Sequence, residues 1–222
     1  MGPDNIVFRV ATWLIPLIAA IVLHEISHGW VASAFGDPTA REQGRLSPNP
    51  LRHVDPIGTV VLPLVLAVSG APVFGWAKPV PVVAARMRNP RLHMMIVALA
   101  GPGMNLLLAM LGGIVLALVG PDGAPAGAGS LFLLANLVNF IAINLFLAIF
   151  NLLPIPPFDG GHVVEGLLPR RLARHWAKLG RFGFPLLVFL LLILPRLVPG
   201  ADVVGRVVRP PVEWLLRLFL GA

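Results

Sequence analysis

The sequence predicts an all-α polytopic membrane protein: a few long apolar helices, further transmembrane or re-entrant segments, and a small membrane-associated β element. Three observations carry this prediction. Hydrophobic residues make up 57% of the 222-residue chain and charged residues 12%, with a mean hydropathy of +0.85, outside the range of water-soluble domains. Apolar runs at 6–35, 92–119 and 131–153 are each long enough to cross a hydrocarbon layer about 30 Å thick. Basic residues sit in short connections between the runs, so the formal charge of +7 reports topology; a basic patch with interleaved aromatics is missing, and no nucleic-acid partner is expected. Cysteine is absent, which leaves histidine and carboxylates as the only side chains for a metal site.

The elements follow in order. Residues 6–35 lack a basic leader and a small-residue cleavage site, so the run reads as a retained span. A helix from 6 to 24 rises about 27 Å, which places His24 near its far face. Gly36-Asp37-Pro38 stops that helix, and the loop to residue 55, with Arg41, Arg45 and Arg52, is cytoplasmic by the positive-inside rule, with the N-terminus outside. The run 57–73 is interrupted by Gly58, Pro63, Gly70 and Pro72 and is basic on both flanks; a re-entrant element fits this better than a crossing helix, the alternative. Lys78-Pro79-Val80-Pro81-Val82 alternates and reads as an extended edge segment able to pair with an extended peptide. Residues 92–119 then run outward to a loop without Lys or Arg, and 131–153 returns to the side where Arg170, Arg171, Arg174, Lys178 and Arg181 follow. Of the C-terminal apolar segments over 182–222, residues 182–194 are broken by proline, while 203–220 is amphipathic and either crosses or lies at the interface. The whole of 1–222 reads as one membrane-embedded domain, without internal repeats.

Chemistry enters at His24-Glu25-Ile26-Ser27-His28. On a helix, His24 and His28 stand one turn apart on one face and can reach one metal ion, with Glu25 offset by about 100°. This H-E-x-x-H pattern implies zinc, with Glu25 as general base toward a water. Ionisable groups in a lipid-compatible run are costly and mark function. For the third ligand, Asp122 lies on the wrong side, Asp37, Glu42 and Asp55 sit in a solvated loop, and Asp159 fits best. It closes the run Asn151-Leu152-Leu153-Pro154-Ile155-Pro156-Pro157-Phe158-Asp159-Gly160-Gly161-His162, where three prolines force extended chain and two glycines permit close approach. Irregular backbone at this depth fits a protein interior or wet cavity.

The two motifs together, with Gly101-Pro102-x-x-Asn105 and His53-Val54-Asp55-Pro56-Ile57-Gly58-Thr59, resemble the site-2 protease family of intramembrane zinc metalloproteases, in a short form without PDZ or CBS modules. The resemblance covers the chain from the first helix through His162. It implies a three-helix catalytic core enclosing one zinc ion held by His24, His28 and Asp159, with Glu25 as catalytic base. Its implied substrates are the transmembrane segments of membrane proteins, cut in or near the bilayer. Asn105 would contact substrate backbone or steady the oxyanion, and the strand-like piece would belong to a membrane-embedded sheet. His53, Asn144 and His162 are candidates for groups around the ligands, a loop-anchoring role being equally open for His53. The expected location is the cell membrane, multi-pass, with the active site toward the cytoplasm. A silent adaptor of the same fold is disfavoured by the intact motifs; a metal-ion transporter is disfavoured because the outer halves of the spans are nearly free of polar groups.

Overall fold

The computed structural model describes residues 5–69, 75–119, 127–198, 200–202 and 204–220. Its helices are α1 (Ile6–Ala34), α2 (Thr39–Glu42), α3 (Leu62–Ser69, entered through a π-helical stretch at Pro56–Val61), α4 (Pro90–Val119), α5 (Ala128–Asn151), α6 (Asp159–Leu167), α7 (Arg170–Leu179), α8 (Gly183–Val188), α9 (Leu194–Leu197) and α10 (Arg209–Leu220). Three segments are long and apolar enough to cross a membrane, Ile6–Ala34, Pro90–Val119 and Gly129–Asn151; Arg170–Phe182 and Pro185–Leu197 would add a fourth only as a pair bent by 68°.

Helices α1, α4 and α5 pack on one another, and their pairings set the directions. His28 meets Val97 while Ala20 meets Asn105, so α1 and α4 are antiparallel. Phe8 meets Phe132 edge-on at 5.6 Å and Thr12 meets Asn139, so α1 and α5 run the same way. The alternation of directions agrees with the charge pattern of the loops. Facing outward are Val10, Trp13, Leu14 and Ile15 of α1 and Leu107, Leu111, Ile114 and Val115 of α4, a surface suited to lipid rather than water.

The amide N–H groups of asparagines inside the spans find partners, as an apolar solvent requires. Asn136, Asn144 and Asn151 each donate to the carbonyl one turn back, at 2.8 to 3.0 Å. Pro16 interrupts α1 and has no N–H for the carbonyl of Thr12. Asn139 of α5 supplies the missing donor at 2.9 Å. That replacement ties the two helices together at the proline.

A second apolar cluster closes the bundle. Val208 and Val212, at the start of α10, bury against Ala109 of α4 and Ile141 and Leu145 of α5, with Leu153 and Phe158 from the turn after α5. Helix α10 is entered through a π-helical stretch at Val204–Val208.

One expectation about the region 36–91 changes. The described residues contain no strand, so the small β element is not borne out. Residues 75–83 are extended, but Pro79 and Pro81 have no N–H, and the donors that remain go elsewhere than to a neighbouring strand. Lys78 N–H bonds to His53 O at 2.8 Å, Val80 N–H to Glu25 at 2.8 Å, and Val83 N–H to Asp37 at 2.5 Å. In the 57–73 run, Pro56–Val61 and α3 make a helical piece about 20 Å long, too short to cross alone. The end of that run falls in 70–74, outside the described residues.

Candidate metal centre

Helix α1 brings His24 and His28 to its inner face, both buried, with Nε2 atoms 3.1 Å apart. Asp159, the first residue of α6, faces them: Oδ2 lies 3.2 Å from His24 Nε2 and Oδ1 lies 3.5 Å from His28 Nε2. The turn that delivers Asp159 is fixed by packing. Phe158 is buried and meets Phe150 edge-on at 4.5 Å, and Trp176 of α7 donates to Gly161 O at 2.9 Å. At Gly160 a Cβ would stand 2.4 Å from the carbonyl oxygens of Leu152 and Leu153, so only glycine lets the chain double back there.

The far side of each imidazole fixes its tautomer. Asn144 Nδ2 donates to Phe140 O at 2.8 Å, which turns Asn144 Oδ1 toward Asn105. Asn105 Nδ2 donates to that oxygen at 2.8 Å and to Ala20 O at 3.3 Å, which turns Asn105 Oδ1 toward His24 Nδ1 at 2.5 Å. His24 must therefore donate from Nδ1. His28 Nδ1 likewise donates to Val97 O at 2.7 Å. With both Nδ1 atoms protonated, the two Nε2 atoms are lone-pair donors aimed at a carboxylate.

Three acceptors thus converge, and Asp159 Oδ2 is buried without a hydrogen-bond donor. A metal cation bound between them would satisfy all three at once. The three ligand atoms lie within 4.8 Å of one another, and two imidazoles with one carboxylate is a donor set used by catalytic zinc sites. The residues present fit a metal ion.

Helix α4 presses directly on the pair. A Cβ at Gly101 would sit 2.5 Å from Nε2 of both His24 and His28. Pro102, the next residue, removes a helical donor and crowds the carbonyl one turn back, next to the Val97 carbonyl that His28 uses. This gives Gly101-Pro102-x-x-Asn105 a physical content: clearance for the imidazoles, a loosened helical turn and a tautomer-setting amide.

The other anticipated residues fall as follows. Glu25 is partly buried beside the site, its Oε2 accepting from Val80 N–H. Asn105, expected to contact substrate backbone or steady the oxyanion, is completely buried, with its oxygen on His24 and its amide nitrogen on Ala20 and Asn144. Its amide group is engaged on both sides. Asn144 stands behind Asn105. His53 is buried in the loop, with Nε2 on Ser47 O at 2.9 Å and its own carbonyl on Lys78, which is the loop-anchoring arrangement. His162 is exposed and lies 3.5 Å from Glu165, on the helix surface rather than among the ligands. Val97, Gly101, Val80 and Arg45 escaped the sequence reading. Gly101 had a signal in its motif; the other three act through backbone groups or a loop contact, for which side-chain identity gives no sign.

A helical membrane bundle with a buried two-histidine, one-carboxylate centre and an adjoining glutamate defines a membrane-embedded protein of the metallohydrolase type. The family profile described as Peptidase family M50 matches residues 128–194. A Bacillus subtilis protein named "Putative zinc metalloprotease YwhC" is 38% identical over 207 residues, covering 93% of this chain and 90% of the relative. Rip2 proteins carrying the same description are 35% identical: that of Mycolicibacterium smegmatis over 85% of this chain and 67% of the relative, that of Mycobacterium tuberculosis over 84% and 66%. The chain belongs to the M50, or site-2 protease, family of metalloproteases. No solved structure gives a significant match.

Proposed function

We propose that the chain is an intramembrane zinc endopeptidase that hydrolyses a peptide bond in or near the transmembrane segment of membrane-protein substrates, in the cell membrane, with its active site toward the cytoplasm. The observation that carries this reading is the convergence of three acceptors, His24 Nε2, His28 Nε2 and Asp159, directly beside Glu25 inside a bundle of apolar helices. Family membership and the names of the relatives support zinc and peptide-bond hydrolysis. The basic loop after α1 and the basic helix α7 support the cytoplasmic side.

Held by His24, His28 and Asp159, zinc supplies Lewis acidity toward a carbonyl and a water that ionises near neutral pH. The chain's own residues do the rest. Asn105 and Val97 hold the Nδ1 protons, so the imidazoles present Nε2 without having to change tautomer. Glu25 has Oε2 on the Val80 amide, which leaves Oε1 to take a proton from water and return it to the leaving amine. A helical substrate has its carbonyls engaged in its own ladder and must unwind before one of them reaches this centre.

The test compares parent and Glu25→Gln on a panel of single-span membrane substrates in liposomes, with zinc content measured in both. Cleavage by the parent, and none by a variant that keeps its zinc, is the expected result. A folded parent that binds no zinc, or zinc-loaded protein that cuts nothing, overturns the reading.

A further inference from the structure

Glu25 is held differently from its neighbours on α1. Its partner is a backbone amide, that of Val80, in the extended stretch between α3 and α4. What fixes that amide is therefore what fixes the carboxylate. The stretch has no strand beside it, and Pro79 and Pro81 flank Val80, so neither adjacent residue can donate a backbone hydrogen bond. The carbonyls just before Val80 are gripped by one side chain: Arg45 Nη2 donates to Lys78 O at 2.7 Å and to Pro79 O at 3.3 Å. Arg45 is 8% exposed, and both of these hydrogen bonds go to carbonyls of this stretch. A buried guanidinium that spans two consecutive carbonyls sets the position and pitch of that peptide, and with them the direction of the next N–H.

The geometry points to Arg45 as a positioning residue for Glu25, acting through the Lys78–Pro79 carbonyls and the Val80 amide. Arg45 does not touch the reacting atoms. It holds the backbone donor that selects one rotamer of Glu25, so that Oε1 is presented to the metal centre. Asp37 secures the far end of the stretch by accepting from Val83 N–H. The catalytic part of the inference rests on the proposed role of Glu25 as base; the structural link from Arg45 to Glu25 does not.

Four variants and three readouts test it. Val80→Pro removes the donor and replaces the buried side chain by a ring, in a stretch already flanked by two prolines; Val80→Ala keeps the donor and trims the side chain, which separates the two effects. Arg45→Ala removes the grip, and Arg45→Lys keeps a single donor. With a transmembrane substrate, Val80→Pro and Arg45→Ala should lower kcat about 100-fold, as misplacement of a reacting group by about 1 Å does, with KM and zinc content within about twofold of the parent. Val80→Ala should lose less than Val80→Pro, and Arg45→Lys should recover part of the loss. Independently of cleavage, hydrogen exchange at the Val80 amide should speed up on the order of tenfold in both Arg45→Ala and Glu25→Ala.

Parent-like kcat in Val80→Pro, or an increase in it, overturns the inference, the increase marking the contact as a restraint on activity. Unchanged Val80 exchange in Arg45→Ala overturns it as well. If Arg45→Ala fails to fold, Arg45→Lys and Val80→Pro carry the decision. If the parent itself cuts no substrate, the protease reading falls, while the exchange data still decide whether Arg45, Val80 and Glu25 form one unit.

Discussion

The two halves of the catalytic motif are secured from opposite directions. His24 and His28 are held from inside the bundle by Asn105 and Val97 of α4, with Asn144 of α5 behind, all on long helices packed along their length. Glu25, one residue away from His24, is held from outside by a stretch that is itself pinned by loop side chains and by the His53 carbonyl of the preceding loop. The two histidines inherit the rigidity of transmembrane packing; Glu25, the proposed base, inherits that of a loop. A centre built this way can keep its metal while the group that moves protons adjusts its position.

Breaking the interior side should have the largest effects. Asp159→Ala removes the carboxylate that faces both imidazoles, and zinc per chain, measured by mass spectrometry of the purified protein, should fall from about one to near zero, with no residual cleavage. Gly101→Ala should come next. Its methyl group would press on both Nε2 atoms, and because the obstruction is a backbone-anchored Cβ, zinc affinity in chelator competition should drop about 10- to 100-fold. Asn105→Ala frees the His24 tautomer, leaves the Asn144 oxygen without this donor and removes the second donor to the Ala20 carbonyl; a loss of about tenfold in zinc affinity is expected, with Asn144→Ala losing less because it acts one bond further away.

The exterior side should respond to acid. Burial alone would raise the Asp37 carboxyl, but the Thr39 hydroxyl, the Val83 amide and the Thr39 amide outweigh it and hold the group below its ordinary value. A carboxylate depressed in the folded state stabilises the fold above its unfolded pKa, and that contribution fades as the pH falls through the lowered folded value. Thermal melts in detergent should therefore lose stability on acidification below the ordinary carboxylate range, and Asp37→Asn should flatten that part of the profile. The smallest effect is expected at Asn139→Ala. Hydrogen bonds between membrane helices average about 0.6 kcal/mol, and a loss of that order in unfolding free energy would mark the Thr12 tie as structural only.

The features legible from sequence are those written in side-chain identity and spacing. Three spans followed from apolar length, and the grouping of His24, His28 and Asp159 followed from a helical i, i+4 pair and a Pro-Gly turn at matching depth. The alternating Lys78–Val82 piece was misleading for a definite reason. Period-two alternation reports extended backbone, which is present, but whether an extended chain joins a sheet depends on a neighbouring strand, and here side chains of Arg45, Glu25 and Asp37 take the place of one. Asn105 was found as a motif residue, while its contacts were not legible, because they depend on which carbonyls the packing of α1 and α5 brings to it. Val97 and Val80 serve through main-chain atoms, and no reading of side chains could single them out.

The chain of amides from Asn144 through Asn105 to His24 begins at one main-chain carbonyl, Phe140, and branches to another, Ala20, so each polarity in it is set by the fold. Nothing in it depends on lipid headgroups or ordered solvent. When the bilayer is exchanged for detergent during purification, the outer apolar faces of α1 and α4 change surroundings but this internal wiring loses no partner. Metal occupancy should therefore outlast delipidation.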